Sequence, residues 1–580
     1  MFNVIRQFFS LTSKKLKYKT FYIFVIFLVA IFLESASILS ISPIFKYLDN
    51  NKNFSGGVYE NYVYDLSLIL NIEFLNLMII ISLIVLFIST IIVFLCNFVL
   101  NKYRYELTYY LSNQLFKKYI EINFENFTKK HKSFYLNNLT NEINRVSGGI
   151  IFSILNIYTR SIYILCLTSI LFFVNKSLLF LIIIIFFSYY LLIYLYYNDK
   201  IRIYGQKLIS ENKDRIEIFT DTFEGFKDVR SYSLLEKIFS KLLFNSKKLS
   251  HYFAFIDILN FSIRFFLEFL IFFIILLLIY LSTNDLIHYD IETVVLFILI
   301  GLKLLPSTSL VYNSYLNYIN NLPSFENIMQ EFKFLKKISK NKNLDFEFND
   351  STYKEYEEIK SIKLRNLSFG YGEKQIFENV NLTLKKGEII GLVGASGSGK
   401  STLINLLAQF YEPSNGELII NGKNSKFIDI NFFWKITKVV DQNYFFFQDT
   451  IINNIFFNKK RKFSEYKKLF NFIISFKLVD NKNQIVKFLK SKFGKNFNLS
   501  EGQKQRLSIL RALMFYPQFL ILDEPSSAID FKNLEILKKE IKKVSSEMII
   551  LISTHDENLF NIFDRIYTIK NKDLVDASIS

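Results

Sequence analysis

The sequence contains only two cysteines in 580 residues, and both lie within apolar runs, at Cys96 and Cys166. So few cysteines exclude a disulfide framework and a cysteine-built metal site. The chain also has no internal repeat and no low-complexity tail. Acidic residues are too few to balance the basic ones, since the chain has 70 Lys and Arg against 52 Asp and Glu and a net charge of +18.

A strong positive charge can indicate a nucleic-acid partner. Here the lysines are spread along the chain and no nucleic-acid motif is present, so no nucleic acid is expected to bind. A lysine-rich cytoplasmic face of a membrane protein explains the charge more simply. The composition agrees with a membrane class, because the 51% of residues that are hydrophobic exceed the share in an ordinary soluble protein.

Six apolar runs each supply the ~20 residues that a membrane-spanning helix needs. They lie at residues 21–48, 75–100, 149–174, 178–197, 252–281 and 291–312. The loops at 101–147 and 199–250 are rich in Lys and Arg, whereas the other connections are poor in them. The positive-inside rule therefore predicts both termini and these two helical loops on the cytoplasmic side. On the outer side, residues 59–72 form either a short amphipathic helix on the membrane surface or an ordinary loop.

The composition changes at residues 331–358, which are polar and charged and predict a linker. From residue 359 to about 569, short apolar strands alternate with helical segments. That alternation is typical of an α/β domain with a mainly parallel sheet. We therefore expect an all-α, six-helix transmembrane domain at 1–330, a linker at 331–358 and an α/β domain at 359–580.

One glycine-rich stretch in the α/β domain fits the pattern G-x-x-x-x-G-K-[ST] of a phosphate-binding loop. It consists of Gly394, Ala395, Ser396, Gly397, Ser398, Gly399, Lys400, Ser401 and Thr402. A strand pattern precedes it and a helical pattern follows, which disfavours a merely glycine-rich turn. Backbone N–H groups of such a loop surround phosphates, Lys400 can reach the β and γ phosphates, and the Ser401 hydroxyl can ligate Mg²⁺. The α/β domain is therefore predicted to be a P-loop NTPase that binds ATP.

A second element of the site is the apolar strand that ends in Asp523 and Glu524. A carboxylate at a strand end near a phosphate loop can hold Mg²⁺, and the next one can orient or deprotonate the attacking water. We assign the first role to Asp523 and the second to Glu524. Two acids that merely cap a strand are the alternative, which Lys400 in the same domain makes less attractive.

The stretch ahead of this strand consists of Leu499, Ser500, Glu501, Gly502 and Gln503, followed by Lys504, Gln505 and Arg506. It resembles the signature motif of ABC transporters. The other elements of that family occur in the expected order: an adenine-stacking aromatic, a Q-loop, a D-loop and a switch histidine. They match Tyr371; Gln442; Ser527, Ala528, Ile529 and Asp530; and His555. Six spans followed by one nucleotide domain is similar to the layout of an ABC exporter half-transporter.

This resemblance implies a homodimer in which two nucleotide domains enclose two ATP molecules. Ser500 and Gly502 would contact the γ-phosphate bound to the partner copy. His555 would hold the γ-phosphate and the attacking water. Mg²⁺ would be bound through Ser401, Gln442 and Asp523. The resemblance also places coupling helices, which link ATP to the spans, near residues 131–138 and 222–230.

The chain departs from the family pattern in three places. Glu501 replaces the first glycine of the signature. Because Ser500 and Gly502 remain, ATP-driven closure is expected to survive, weakened by a carboxylate near phosphate. Residues 493–496 lack the acidic side chain that exporters often carry there, which removes one expected contact between subunits. Ile529 replaces leucine in the D-loop, a mild change.

Ionisable residues inside membrane spans are costly and usually face a cavity. The candidates are Glu34, Arg160, Arg264, Glu268 and Lys303. Arg264 and Glu268 are one helical turn apart and could simply pair with each other. The alternative is a cationic wall for an anionic headgroup, built from Arg264, Lys303 and Arg160, because arginine forms bidentate contacts with phosphate.

Short patterns around these residues resemble the spans of lipid-linked oligosaccharide flippases. They lie at 33–43, 264–268 and 302–307, and a short external helix at 59–72 would match that family as well. The resemblance implies ATP-driven flipping of a lipid-linked saccharide, or a similar anionic glycolipid, across a bacterial inner membrane. An exporter of another lipid, a drug or a peptide is an alternative. A membrane-anchored regulatory ATPase without transport is the alternative from another class.

Overall fold

The structure is a computed structural model that describes residues 1–49, 58–283, 291–339, 358–395, 397–457, 459, 461–479, 481–494 and 499–577. For some helical residues between 178 and 291 it describes the backbone and not the side chain. The chain forms two compact units. The first comprises Met1–Ile122 and Lys130–Leu344, and the second comprises Asn123–Lys129 and Asp345–Ser580.

The described residues of the first unit form helices joined by short turns. Its helices are α1 (Phe2–Leu11), α2 (Lys14–Leu39), α3 (Ser42–Asp49), α4 (Val58–Leu70), α5 (Phe74–Ile120), α7 (Lys132–Asn137), α8 (Phe152–Val174), α9 (Lys176–Glu224), α10 (Phe226–Ser231), α11 (Leu235–Thr283) and α12 (Ile291–Ser339). Two π-helical segments, Asn138–Glu142 and Arg145–Ile151, continue α7 into α8. Helix α6 (Phe124–Thr128) belongs to the second unit.

Four stretches of the described residues are long and apolar enough to cross a membrane. They are Lys14–Leu48, Phe74–Ile120, Lys132–Val174 and Glu292–Ile338, and they contain the first, second, third and sixth predicted spans. The fourth and fifth predicted spans, at 178–197 and 252–281, lie in the continuous helices α9 and α11, where several side chains are outside the description. Residues 59–72 are helical over most of their length, as α4, which favours the helix over the loop.

The long helices pack in pairs, with α2 against α5, α8 against α12 and α9 against α11. Helix α5 shows why they pack, because Leu107, Leu111 and Leu115 recur every four residues on one face. All three are buried, in a cluster that includes Ile143 and Ile150. On its other face, apolar side chains such as those of Phe87, Phe94 and Phe98 are exposed within the unit, as expected where lipid is the solvent.

The second unit combines two sheets with short helices. Its strands are β1 (Ser361–Tyr371), β2 (Lys374–Lys385), β3 (Ile389–Val393), β4 (Asn415–Ile420), β5 (Lys423–Asn424), β6 (Thr437–Val440), β7 (Phe519–Asp523), β8 (Ile549–Ser553), β9 (Arg565–Lys570) and β10 (Asp573–Asp576). The helices are α13 (Lys400–Leu407), α14 (Ile430–Ile436), α15 (Ile451–Phe456), α16 (Phe463–Ser475), α17 (Ile485–Lys490), α18 (Glu501–Leu513) and α19 (Phe531–Val544).

The larger sheet has the strand order β10-β9-β3-β8-β7-β6, and all its pairings are parallel except that of β9 with β10. The smaller sheet, β2-β1-β4-β5, is antiparallel. Strands β3, β7 and β8 are buried almost completely, which agrees with their unbroken apolar sequences. Because these three strands are parallel neighbours, the residues that follow each of them meet at one edge of the sheet.

A substitution at Gly391, in the middle of β3, tests how tightly this sheet is covered. A Cβ atom there would lie 2.4 Å from the Phe563 ring. We expect Gly391→Ala to destabilise the protein by about 1–3 kcal/mol through overpacking, seen as a lower midpoint of thermal unfolding of the full chain in detergent. Phe563→Leu in the same background should recover part of the loss by making room. An unchanged midpoint for Gly391→Ala would contradict this packing.

Candidate nucleotide site

The phosphate-binding loop joins the end of β3 to the start of α13. Two of its glycines adopt left-handed backbone angles, with φ of +79° at Gly397 and +109° at Gly399. A Cβ atom at Gly399 would also lie 3.0 Å from atoms of Ile376 and Phe377. Glycine is therefore required at 399 both for its backbone conformation and for the close approach of β2. Ser396 lies outside the described residues.

The Lys400 ammonium folds back over this loop. Its Nζ atom donates to the carbonyl oxygen of Gly394 at 2.7 Å and lies 2.7 Å from Nε2 of His555. Burial lowers the pKa of Lys400, while the charges of Glu524 and Asp523 act in the opposite direction. The amine therefore lies at the centre of the loop, held by groups that an anionic phosphate can replace.

The two acids at the end of β7 lie beside the loop. Asp523 Oδ2 accepts a hydrogen bond from the Ser401 hydroxyl at 3.1 Å. Glu524 Oε1 lies 3.3 Å from Nε2 of His555. One imidazole nitrogen therefore faces both Lys400 and Glu524, and it can accept from the first or donate to the second but not both at once. The tautomer of His555 decides which contact forms.

Glu524 adopts a left-handed backbone conformation, with φ of +51°. Such a conformation is costly for a residue other than glycine and persists only where the surroundings impose it. Here the Glu524 N–H donates to the carbonyl oxygen of Ser553 at 2.9 Å, and its own carbonyl oxygen accepts from the Gln505 amide at 2.8 Å. The end of β8 and the signature helix thus fix the direction of the Glu524 side chain.

The residues predicted to bind Mg²⁺ are partly brought together. Ser401 and Asp523 place two oxygen ligands in contact, the donor type that Mg²⁺ prefers. Gln442 follows β6, the neighbour of β7, and its side chain is exposed. The adjacent Asp441 was missed from the sequence. Burial and the charge of Asp523 raise the pKa of Asp441, which indicates a further carboxyl group beside the site. An acid directly after a strand that neighbours β7 was the available signal.

The candidate adenine-stacking residue, Tyr371, is 46% exposed and leaves a ring face accessible. Its hydroxyl lies 3.2 Å from that of Thr402, and its ring centroid lies 5.7 Å from that of Tyr411. Tyr411 in turn contacts Phe124 of α6, with ring centroids 6.0 Å apart. The described contacts therefore connect the Asn123–Lys129 segment to the side of the site where Tyr371 lies.

The division of the chain into two units can be compared with the predicted positions of the coupling helices. The part of the first basic loop that belongs to the second unit is Asn123–Lys129, whereas α7, which lies within the predicted stretch at 131–138, belongs to the first unit. In the second unit, Phe124 of α6 packs on Phe410 and Tyr411. The positions of the coupling helices, at 131–138 and 222–230, stay a prediction.

The signature residues form the amino-terminal end of α18. Ser500 caps this helix by accepting from the Gln503 N–H at 3.2 Å, and the Gln503 side chain accepts from the Ser500 N–H at 3.0 Å. This reciprocal capping box fixes the first turn. Leu499 is buried in the core and anchors the chain just before the cap.

The signature and the D-loop touch directly. A Cβ atom at Gly502 would lie 2.5 Å from the carbonyl oxygen of Ala528, so only glycine fits there. Gln505 accepts from the Ala528 N–H at 3.1 Å and lies 3.3 Å from the Ser527 hydroxyl. Asp530 ends the D-loop ahead of α19, and a hydrogen bond from the Asn533 side chain lowers the pKa of Asp530. Gln505 therefore ties the signature helix to the D-loop and to Glu524.

The chain matches two family profiles of known proteins. Residues 20–302 match the family profile of the ABC transporter transmembrane region, and residues 377–527 match that of the ABC transporter. The chain carries the two domains of an ABC transporter. A bacterial Atm1-family ABC exporter with ATP bound has a similar fold, with a TM-score of 0.73 and 16% identity over 97% of this chain and 94% of that one. The fold is therefore similar to that of an ABC exporter, with the transmembrane region ahead of the ABC transporter domain.

Curated relatives match over shorter stretches. An ABC transporter ATP-binding/permease protein of Haemophilus influenzae is 33% identical over 215 residues, which is 37% of this chain and 39% of that protein. An ATP-dependent lipid A-core flippase of Wigglesworthia glossinidia brevipalpis is 34% identical over 225 residues, covering 37% of this chain and 36% of the flippase. The matches thus span about two fifths of the length of these relatives.

Replacing Lys400 tests the phosphate-binding role of the loop. We expect Lys400→Ala to weaken nucleotide binding about 10- to 100-fold, because hydrogen bonds to charged groups contribute about 1.5–3 kcal/mol. Binding of a fluorescent ATP analogue measures this change. Lys386→Ala is the matched control, since that lysine forms an ion pair with Glu358 away from the loop. Equal affinities for the two variants would contradict the assignment.

Proposed function

We propose that two copies of this chain form an ATP-driven exporter in a bacterial inner membrane, with both termini in the cytoplasm. The proposal rests on the surroundings of His555 Nε2, which lies 2.7 Å from the Lys400 ammonium and 3.3 Å from a Glu524 carboxylate oxygen. The same chain has helices long and apolar enough to cross a membrane. Three such groups around one point suit phosphoryl transfer from ATP to water. The ABC transporter domains on both sides of residue 345 support the coupling of hydrolysis to transport.

Each side chain has a separate task in this proposal. Lys400 binds the β and γ phosphates as the loop carbonyls release it. Glu524 accepts the proton of the attacking water, and His555 keeps the γ-phosphate and that water in line. Ser401 and Asp523, with Gln442, would hold Mg²⁺, which neutralises phosphate charge when bound. Ser500 and Gly502 of the partner copy complete the site.

We propose an anionic lipid, such as a lipid-linked saccharide, as the cargo. Three ionisable residues of the predicted cationic wall and its surroundings lie among the helices of the first unit. Glu34 of α2 and Arg160 of α8 line one small, partly open pocket, together with Tyr163. Lys303 of α12 lies 3.0 Å from Glu34. When all three side chains are ionised, the cations Arg160 and Lys303 exceed the anion Glu34 by one positive charge. This excess charge favours an anionic ligand.

The ion pair changes how Lys303 is expected to act. Its ammonium is neutralised by Glu34, so an anionic headgroup has to compete with that carboxylate for it. Arg160 lines the pocket and supplies the excess positive charge. The side chain of Arg264 lies outside the description, and its part in the wall stays a prediction. The flippase among the curated relatives, whose name specifies lipid A-core, supports a lipid cargo.

Glu524→Gln tests the catalytic assignment. We expect ATP hydrolysis to fall about 10²- to 10⁴-fold, because the amide cannot accept the proton, while nucleotide affinity stays within a factor of about two. Phosphate release and binding of a fluorescent ATP analogue measure the two quantities. Glu378→Gln, which removes an exposed partner of Lys572, is the control. Hydrolysis that survives in Glu524→Gln would refute the role of this residue as the base.

The cargo is tested by ATPase activity in lipid vesicles with a polyprenyl-pyrophosphate oligosaccharide. We expect stimulation by this glycolipid and much less by the uncharged polyprenol. Lys303→Gln and Arg160→Gln should raise the glycolipid concentration for half-maximal stimulation, by about tenfold for the loss of one charge-assisted contact. Glu34→Gln should lower that concentration, because it frees Lys303. Equal stimulation by the polyprenol would contradict an anionic cargo and favour another transported lipid.

A further inference from the structure

The carboxylate of Glu501 lies in the first turn of α18, next to the residues proposed to contact ATP on the partner copy. Its two oxygens are both engaged. Oε1 lies 2.6 Å from the Lys504 ammonium, and Oε2 accepts from the Tyr444 hydroxyl at 2.8 Å. The Glu501 side chain is otherwise well exposed, so these two partners set where its charge lies.

Tyr444 comes from the Q-loop, two residues after Gln442. Its hydroxyl also lies 2.9 Å from the Glu501 carbonyl oxygen, so one proton is shared between two acceptors. Hydrogen bonds from Lys504 and Tyr444 lower the pKa of Glu501. The two partners therefore favour the anionic form of the glutamate.

The Q-loop is attached to the stretch before the signature as well. The rings of Phe446 and Phe493 stack with centroids 4.5 Å apart. The Phe493 N–H donates to the Asp449 carbonyl oxygen at 3.0 Å, and the Ile451 N–H donates to that of Ser491 at 3.0 Å. Phe493, at the start of the stretch that departs from the family pattern, is thus joined to the same loop as Glu501.

We propose that Lys504 and Tyr444 are positioning residues that neutralise the Glu501 carboxylate and turn it aside from the γ-phosphate at the signature. This inference rests on the proposed function, in which α18 meets ATP on the partner copy. The amino-terminal end of a helix attracts anions, and a free carboxylate there competes with phosphate and repels it. With the charge paired and directed toward the Q-loop, a signature that carries glutamate in place of glycine can still accept ATP.

A double-mutant cycle tests the inference. In the parent protein, Lys504→Ala should raise the KM for MgATP about tenfold, equivalent to about 1.4 kcal/mol, with kcat changed less than about twofold. In the Glu501→Gly background the same substitution should change KM less than about twofold, because no carboxylate is left to neutralise. Tyr444→Phe should raise KM by a smaller factor, again only when Glu501 is present.

The control is Lys543→Ala, which breaks another lysine–glutamate pair of 2.6 Å with the same i,i+3 spacing, on α19. It should leave KM unchanged. An equal effect of Lys504→Ala with and without Glu501 would overturn the inference, since it would show that Lys504 binds nucleotide itself or only supports the helix. No effect in either background would also overturn it. Absence of ATP turnover in the parent protein would instead overturn the proposed function, and this inference with it.

Discussion

The nucleotide site depends on the parallel pairing of β3, β8 and β7. Hydrogen bonds along these three strands set their register. Each strand places a different group at the same edge of the sheet. These groups are the phosphate loop after Val393, His555 after β8, and the carboxylates of Asp523 and Glu524 at the end of β7. The strands are buried on both faces, so their register cannot shift by one residue without exposing apolar side chains. The distances around His555 follow from that register.

Motifs that are local in sequence could be predicted well. The phosphate loop, the acids at the end of β7 and the capped signature each occupy a few consecutive residues, and their spacing alone carries the chemistry. The two-domain fold could be predicted for the same reason, because spans and alternating strands are local patterns. The resemblance to ABC transporters then gave the order of the remaining site elements, which stays a prediction. The matching family profiles confirm the two domains, with the transmembrane region ahead of the ABC transporter domain.

Contacts between distant parts of the chain could not be predicted. Lys303 and Glu34 are 269 positions apart, and nothing in either neighbourhood specifies the other. Tyr444 meets Glu501 over 57 positions. From the sequence, Glu501 was expected to weaken ATP-driven closure without abolishing it, and Arg264 was expected to pair with Glu268 or bind cargo. Which charge neutralises which depends on helix packing and loop direction, and these are properties of the fold.

The membership of Asn123–Lys129 in the nucleotide-binding unit makes that unit discontinuous in sequence. Its chain consists of seven residues from the first basic loop and, more than two hundred residues later, everything from Asp345 onward. A carboxyl-terminal fragment alone would lack the Phe124 ring that covers Phe410 and Tyr411. In folding terms, the second unit cannot be completed from one continuous stretch of the chain, so the order of synthesis does not separate the two units.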